Sequence, residues 1–259
     1  VRYYPTIEHE AAAGAVVEHL SAWPEVEAVV LVGSCARGRA APTSCLDILV
    51  LAEPEVLARE RPRLEQAWQH LYGRERVFAQ LRALAQFSHV DLEFADGDPK
   101  PIVRDWWCGD PDSFELEIGN TFIYTVPLYE RGDYFRRMRD RWLPFYDDAL
   151  RRERLAMVRK FCANNLDHIP LFVDRGLHFQ AFKRLYDASR EFLQALFIAR
   201  RVYPIAYDKW IREQLVDMLH LPDVYREMVA LFEYDEFESD AHIAKAEAIH
   251  RLLNEHAKE

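Results

Sequence analysis

Leu31-Val32-Gly33-Ser34-Cys35-Ala36-Arg37-Gly38-Arg39, followed after four residues by Ser44-Cys45-Leu46-Asp47-Ile48-Leu49-Val50, is the stretch that decides how this chain folds. An apolar run, Val29 to Val32, ends in Gly-Ser. A short Arg/Gly segment follows, then a second apolar run that carries an acid. The pattern predicts a strand, a tight turn and another strand. Gly33 has no side chain, so a ligand can approach the backbone closely. Backbone N–H groups and a hydroxyl in such a turn suit a phosphate. Residues i and i+2 of a strand share a face, so Cys45 and Asp47 are expected to point into one cleft.

The combination resembles the signature of the polymerase-β-like nucleotidyltransferase superfamily: Gly-Ser, a spacer, then Ser-Asp-x-Asp. Ser34 and Ser44 stand at the usual spacing. Asp47 falls in the second acidic slot, and Cys45 occupies the first. The resemblance implies transfer of a nucleoside monophosphate from an NTP to a hydroxyl, assisted by Mg²⁺ or by Mn²⁺ in its place. It implies that Gly33, Ser34, Arg37 and Ser44 hold the nucleotide, and that Asp47 is a catalytic metal ligand. Paired acids suit this chemistry because hard divalent cations take oxygen ligands and neutralise phosphate charge. A thiol is a poor partner for Mg²⁺, so Cys45 departs from the pattern where the metal chemistry is centred.

A third acid is sought on a neighbouring strand. Ser88-His89-Val90-Asp91-Leu92-Glu93-Phe94 alternates, which sets Val90, Leu92 and Phe94 on one face and Asp91 and Glu93 on the other. Asp91 fits the family's third catalytic and metal-binding acid. Glu93 is the metal-binding candidate that would supply what Cys45 lacks.

Net charge is −10. A duplex or long RNA wants a basic surface, so no long nucleic acid is expected, and a small acceptor is. No apolar run reaches membrane-spanning length, and no apolar signal core opens the chain. The four cysteines, Cys35, Cys45, Cys108 and Cys162, form no C-x-x-C pair. That pattern argues against a structural zinc and suits the cytoplasm. The expected protein is cytoplasmic, without a membrane partner, and a monomer or homodimer.

Further along, helices are expected over 7–22 and 55–72, and strands over 27–32, 45–52, 90–94 and 121–129. Pro127 marks the last strand as an edge, and residues 76–87 read as helix or strand. Asp105-Trp106-Trp107-Cys108 reads as core or interface filler, or as a platform for a base. From Tyr134 on, helices are expected over 134–142, 147–170, 177–201, 207–219, 222–234 and 239–257. Phe182, Leu185, Tyr186, Phe192, Leu193, Leu196 and Phe197 form a broad apolar stripe. The fold class is α+β, with a mixed-sheet nucleotidyltransferase-like domain over 1–133 and a helical bundle over 134–259. This order is similar to the kanamycin- and streptomycin-type antibiotic nucleotidyltransferases.

In those enzymes a carboxylate deprotonates the acceptor. The matching region, Cys162-Ala163-Asn164-Asn165-Leu166-Asp167-His168, offers Asp167 or His168, because asparagine cannot act as a base. Asp187 and Glu191 are alternatives, with a solvated helix face as their plain reading. Lys183, Arg184 or, preferably, Lys209 would meet the triphosphate from the helical domain. The expected activity is transfer of NMP to a small hydroxylated acceptor. The alternatives are a nucleotide-binding pseudoenzyme and a toxin–antitoxin-type or kinase-like enzyme acting on a protein.

Overall fold

The computed structural model describes residues 3–102 and 111–258. The tryptophan pair at 106 and 107 and Cys108 lie outside them. The chain forms two compact units, Val1–Pro99 with Ile118–Leu143, and Lys100–Glu117 with Pro144–Glu259.

The first unit opens with α1 (Ile7–Leu20), capped by Thr6, whose hydroxyl accepts from the His9 N–H. Then come β1 (Ala28–Leu31), a single turn α2 (Gly33–Ala36), β2 (Leu46–Leu51), α3 (Pro54–Arg74), α4 (Arg76–Arg82) and β3 (Val90–Ala95). The ambiguous stretch after residue 76 is thus helical. Pro54 starts α3 where a missing N–H costs nothing. The chain then runs through α5 (Phe114–Ile118) and a π-helical turn (Gly119–Ile123) into β4 (Val126–Glu130) and α6 (Tyr134–Trp142).

The sheet order is β3-β2-β1-β4. β1 pairs antiparallel with β2 and β4, and β2 pairs parallel with β3. The sheet is therefore mixed, and β4 lies at its edge, where Pro127 is tolerated. Leu46, Ile48 and Val50 of β2 enter a core with Val16, Leu20 and Trp68. That burial fixes the opposite face of β2 as the one that carries Cys45 and Asp47.

One expectation fails here. Residues 119–123 are helical, although their aromatic and β-branched content reads as strand. Phe114, Ile118 and Phe122 are all buried at i, i+4 and i+8. That burial follows the helical period and overrides local β-propensity.

The second unit is helical. It contains α7 (Asp148–Asp167), α8 (Ile169–Asp174), α9 (His178–Arg200), a π-helical turn (Glu213–Met218), α10 (Pro222–Ala230) and α11 (Ala241–His256). Its core joins Val158 and Cys162 of α7, Leu185, Phe192 and Leu196 of α9, and Ile249 of α11. The expected helix over 147–170 breaks at His168, just before Pro170. α9 ends with Arg201 in the left-handed region. The expected helix over 207–219 starts late, because Gln214 holds the preceding loop. Its Oε1 accepts from the Ile205 N–H (2.8 Å), and its Nε2 donates to the carbonyls of Ala206 (2.7 Å) and Lys209 (3.0 Å).

A mixed sheet with flanking helices, followed by a helical C-terminal region, matches the expected α+β class. No described helix is long and apolar enough to cross a membrane.

Candidate functional site

β1 delivers the chain to Gly33 with φ +65°, a region that L side chains rarely adopt. A Cβ at Gly33 would collide with Asp47 Oδ2 and stand 3.0 Å from its Cγ. Glycine is thus required twice, by its backbone angle and by the carboxylate packed against it. The ladder between the two strands continues through this point, where the Val32 N–H donates to the Asp47 carbonyl at 3.0 Å. Ser34 is half-buried in the turn. The first N–H groups of any helical turn lack intrahelical partners, so the Gly33-Ser34 end presents donors.

Asp47 and Asp91 are direct register partners across β2 and β3. Neighbouring strands lie ~4.8 Å apart, so the two carboxylates start from adjacent backbone positions. Leu49 opposes Glu93 in the same ladder, and i, i+2 alternation sets Glu93 on the face of Asp91. Asp91 and Glu93 are exposed and make no ion pair among the described residues. Glu93 borders a shallow cavity with Arg61, Glu65 and Trp68 of α3.

Cys45 joins this cluster. Its thiol pKa is pushed up to about 12, first by burial and then by a hydrogen bond to Asp47 and the charges of Asp47 and Asp91. Cys35 is raised to about 12 by burial and the Asp47 charge, and its Sγ lies 3.7 Å from the Cys45 carbonyl. Both thiols therefore stay protonated at neutral pH. A protonated thiol donates to Asp47 and offers nothing to a hard cation.

The donor set accordingly fits a hard divalent cation held by the two carboxylates, with phosphate oxygens and water completing its shell. No group of three or more His, Cys, Asp or Glu side chains suited to a metal occurs among the described residues. Two protein ligands are in keeping with Mg²⁺, which retains waters and shares substrate phosphates.

The loop between the strands is held from below by groups that the sequence did not announce. His9 is fully buried, and its Nε2 lies 3.0 Å from the Ser44 carbonyl. A carbonyl only accepts, so Nε2 carries the proton, and Nδ1 accepts from the Thr6 hydroxyl at 2.9 Å. Ser88, also buried, donates to the Pro42 carbonyl at 3.0 Å. Ser44 Oγ accepts from the Ala41 N–H at 3.0 Å, so this hydroxyl shapes the loop. A lone histidine on an apolar helix face gives no spacing signal for such a role.

The remaining predicted residues have distinct settings. Arg37 is half-buried and follows α2 directly. In the helical unit, Asp167 is exposed and sits 3.2 Å from His250 Nε2. Lys209 is exposed in the loop held by Gln214. His168 donates through Nδ1 to the Asn164 carbonyl at 2.7 Å, because a carbonyl only accepts. Asp187 and Glu191 are buried, against the expectation of a solvated helix face. Lys183 Nζ lies 2.6 Å from Asp187 Oδ2, and Asn165 donates to Glu191 at 2.8 Å. Arg184 in turn donates to Asn165 Oδ1 at 2.6 Å.

No curated protein matches the chain. Among solved structures, a nucleotidyltransferase-like protein from Exiguobacterium sibiricum is similar over 96% of this chain and 75% of its own, at 13% identity and a TM-score of 0.49. Residues 15–94 match the family model of a nucleotidyltransferase domain, and that segment contains Gly33, Ser34, Asp47, Asp91 and Glu93.

Proposed function

We propose that this chain is a nucleotidyltransferase that moves NMP from an NTP to a small hydroxylated acceptor and releases pyrophosphate. The observation that carries the reading is the register pairing of Asp47 with Asp91, beside a glycine whose missing side chain makes room for the Asp47 carboxylate. The Gly33-Ser34 turn, with Arg37, receives the triphosphate, and Ser44 shapes the loop between. Asp47 and Asp91 hold a divalent cation, Mg²⁺ or Mn²⁺, and Glu93 stands ready on the same face. When bound, such an ion neutralises phosphate charge. The work of the chain itself is to position the NTP and to keep its α-phosphorus accessible.

Asp167 is the preferred base in this reading. It is accessible, whereas Asp187 and Glu191 are buried against donors. Lys209 is the proposed cationic contact from the helical unit.

Calorimetry with ATP, GTP, CTP and UTP, each with and without Mg²⁺, tests the proposal. Mg²⁺-dependent binding that weakens in Ser34→Ala by about 1–2 kcal/mol, the scale of a hydrogen bond to a charged group, is the expected result. Failure of all four nucleotides to bind overturns it. A second reading, binding without turnover, is favoured by one observation, a cysteine at position 45 where the pattern has its first acid. Nucleotide binding without pyrophosphate release across a panel of acceptors would select it.

A further inference from the structure

A separate cavity of about 260 Å³ opens within the helical unit. It is smaller than the ~300–1,000 Å³ of pockets that take drug-sized ligands, so its occupant is a small molecule. Tyr186 and Leu193 of α9 form one wall and Tyr225 and Met228 of α10 another, while Tyr207 and Phe232 complete an aromatic lining. Aromatic faces carry negative potential and attract cations. The chain already uses one of these rings in this way, since the Arg190 guanidinium carbon lies 5.6 Å from the Tyr186 centroid.

Asp208 also lines the cavity. It is exposed and has no ion-pair partner among the described residues. Tyr207 beside it is buried, and its hydroxyl has no hydrogen-bond partner. Burial raises its pKa well above the ordinary phenol value, so the ring stays neutral and contributes its π-face. Apolar walls, several π-faces and one uncompensated carboxylate together select charge and shape. A neutral apolar molecule leaves Asp208 unanswered, and an anion meets both the carboxylate and the ring faces.

We propose that this cavity binds a small organic cation with an apolar body, of the class of protonated arylalkylamines. The site is independent of the nucleotide reading, because every lining residue belongs to the helical unit and its test involves no nucleotide.

Benzylamine and benzyl alcohol are suitable probes. They are near-isosteric and differ in charge at neutral pH. Titration of the full chain, followed by ligand-observed NMR, should give saturable binding of benzylamine that is about tenfold tighter than that of benzyl alcohol, equivalent to roughly 1.4 kcal/mol. Asp208→Asn should abolish the difference, and Val229→Trp, at a partly exposed lining position, should block both probes. Circular dichroism of each variant separates a lost site from a lost fold. Equal affinity for the two probes in the native chain overturns the proposal. So does a benzylamine preference that survives in folded Asp208→Asn, because it would place the amine at another acidic surface.

Discussion

Glu115 in the helical unit and Asp91 in the sheet unit are both carboxylates on regular elements, yet their surroundings are opposite. Glu115 is fully buried. It accepts from Arg154 Nε at 2.9 Å and Nη2 at 2.7 Å, from the Tyr146 hydroxyl at 2.8 Å and from Gln194 at 2.8 Å. Asp91 is exposed, has no ion pair among the described residues, and lies across the ladder from another acid. A carboxylate surrounded by donors is finished as a structural group. Acids on neighbouring strands repel one another and gain when a cation arrives. The difference separates an acid that holds the fold from one that faces solvent.

The largest expected effect breaks the first kind. Arg154→Ala leaves Glu115 buried beside Asp112, which also loses its 2.6 Å contact with Arg154. Removing one partner of a buried pair costs about 3–5 kcal/mol. Urea denaturation should show a loss of that size. A loss below ~1 kcal/mol, the range of exposed pairs, would place Glu115 with the solvated acids.

Gly33→Ala comes next. The positive φ alone costs roughly 1–2 kcal/mol with a Cβ present, and that Cβ displaces Asp47. Stability should fall by about this amount, and NTP binding should fall further than stability accounts for. Retention of full nucleotide affinity would detach the turn from the site.

This contrast also explains what the sequence made legible. Strand, Gly-Ser turn and the positions of Asp47 and Asp91 follow from local rules. Alternation fixes the face, and a parallel neighbour fixes the pairing. Burial on a helix is set by what packs against it, so Asp187 and Glu191 read as solvated while α9 buries them. His9 escaped for the same reason, since its partner Ser44 lies 35 residues away. The helical turn at 119–123 was hidden by residues whose β-propensity lost to tertiary packing.

Asp47→Asn should have a smaller effect on stability, because it removes repulsion with Asp91 while the amide oxygen can still accept from Cys45. Mg²⁺-dependent nucleotide binding should vanish while the fold persists. The Cys45 pKa should fall below about 12, since burial, the largest cause of its rise, persists while the charge of Asp47 is removed. The sign follows from proton linkage. With the folded pKa raised, the native state holds the proton more tightly, so the contribution of this thiol is complete below pH 9 and is lost as pH rises towards 12. Rates of iodoacetamide alkylation against pH, in native and variant chains, measure the shift. An unchanged alkylation profile would mean that Cys45 does not sense Asp47.

Cys45→Ser should change least, and it sharpens the comparison where the chain departs from the Ser-Asp-x-Asp pattern that it resembles. Serine keeps a neutral donor at the i−2 position on the face of Asp47, so the hydrogen bond persists and the count of hard anionic ligands does not rise. Metal affinity should shift by less than roughly 1 kcal/mol, the scale of one neutral hydrogen bond. Cys45→Asp is the informative counterpart. A third carboxylate beside Asp47 and Asp91 adds like-charge repulsion in the empty protein and supplies the oxygen ligand that a second cation needs. Calorimetric titration with Mn²⁺ in the presence of a non-hydrolysable NTP analogue should then show stoichiometry rising from one ion to two, with lower stability of the metal-free chain. If the native chain already binds two ions, Glu93 has taken the role of the missing acid. Glu93→Gln, rather than any change at Cys45, would then be the substitution that lowers the count.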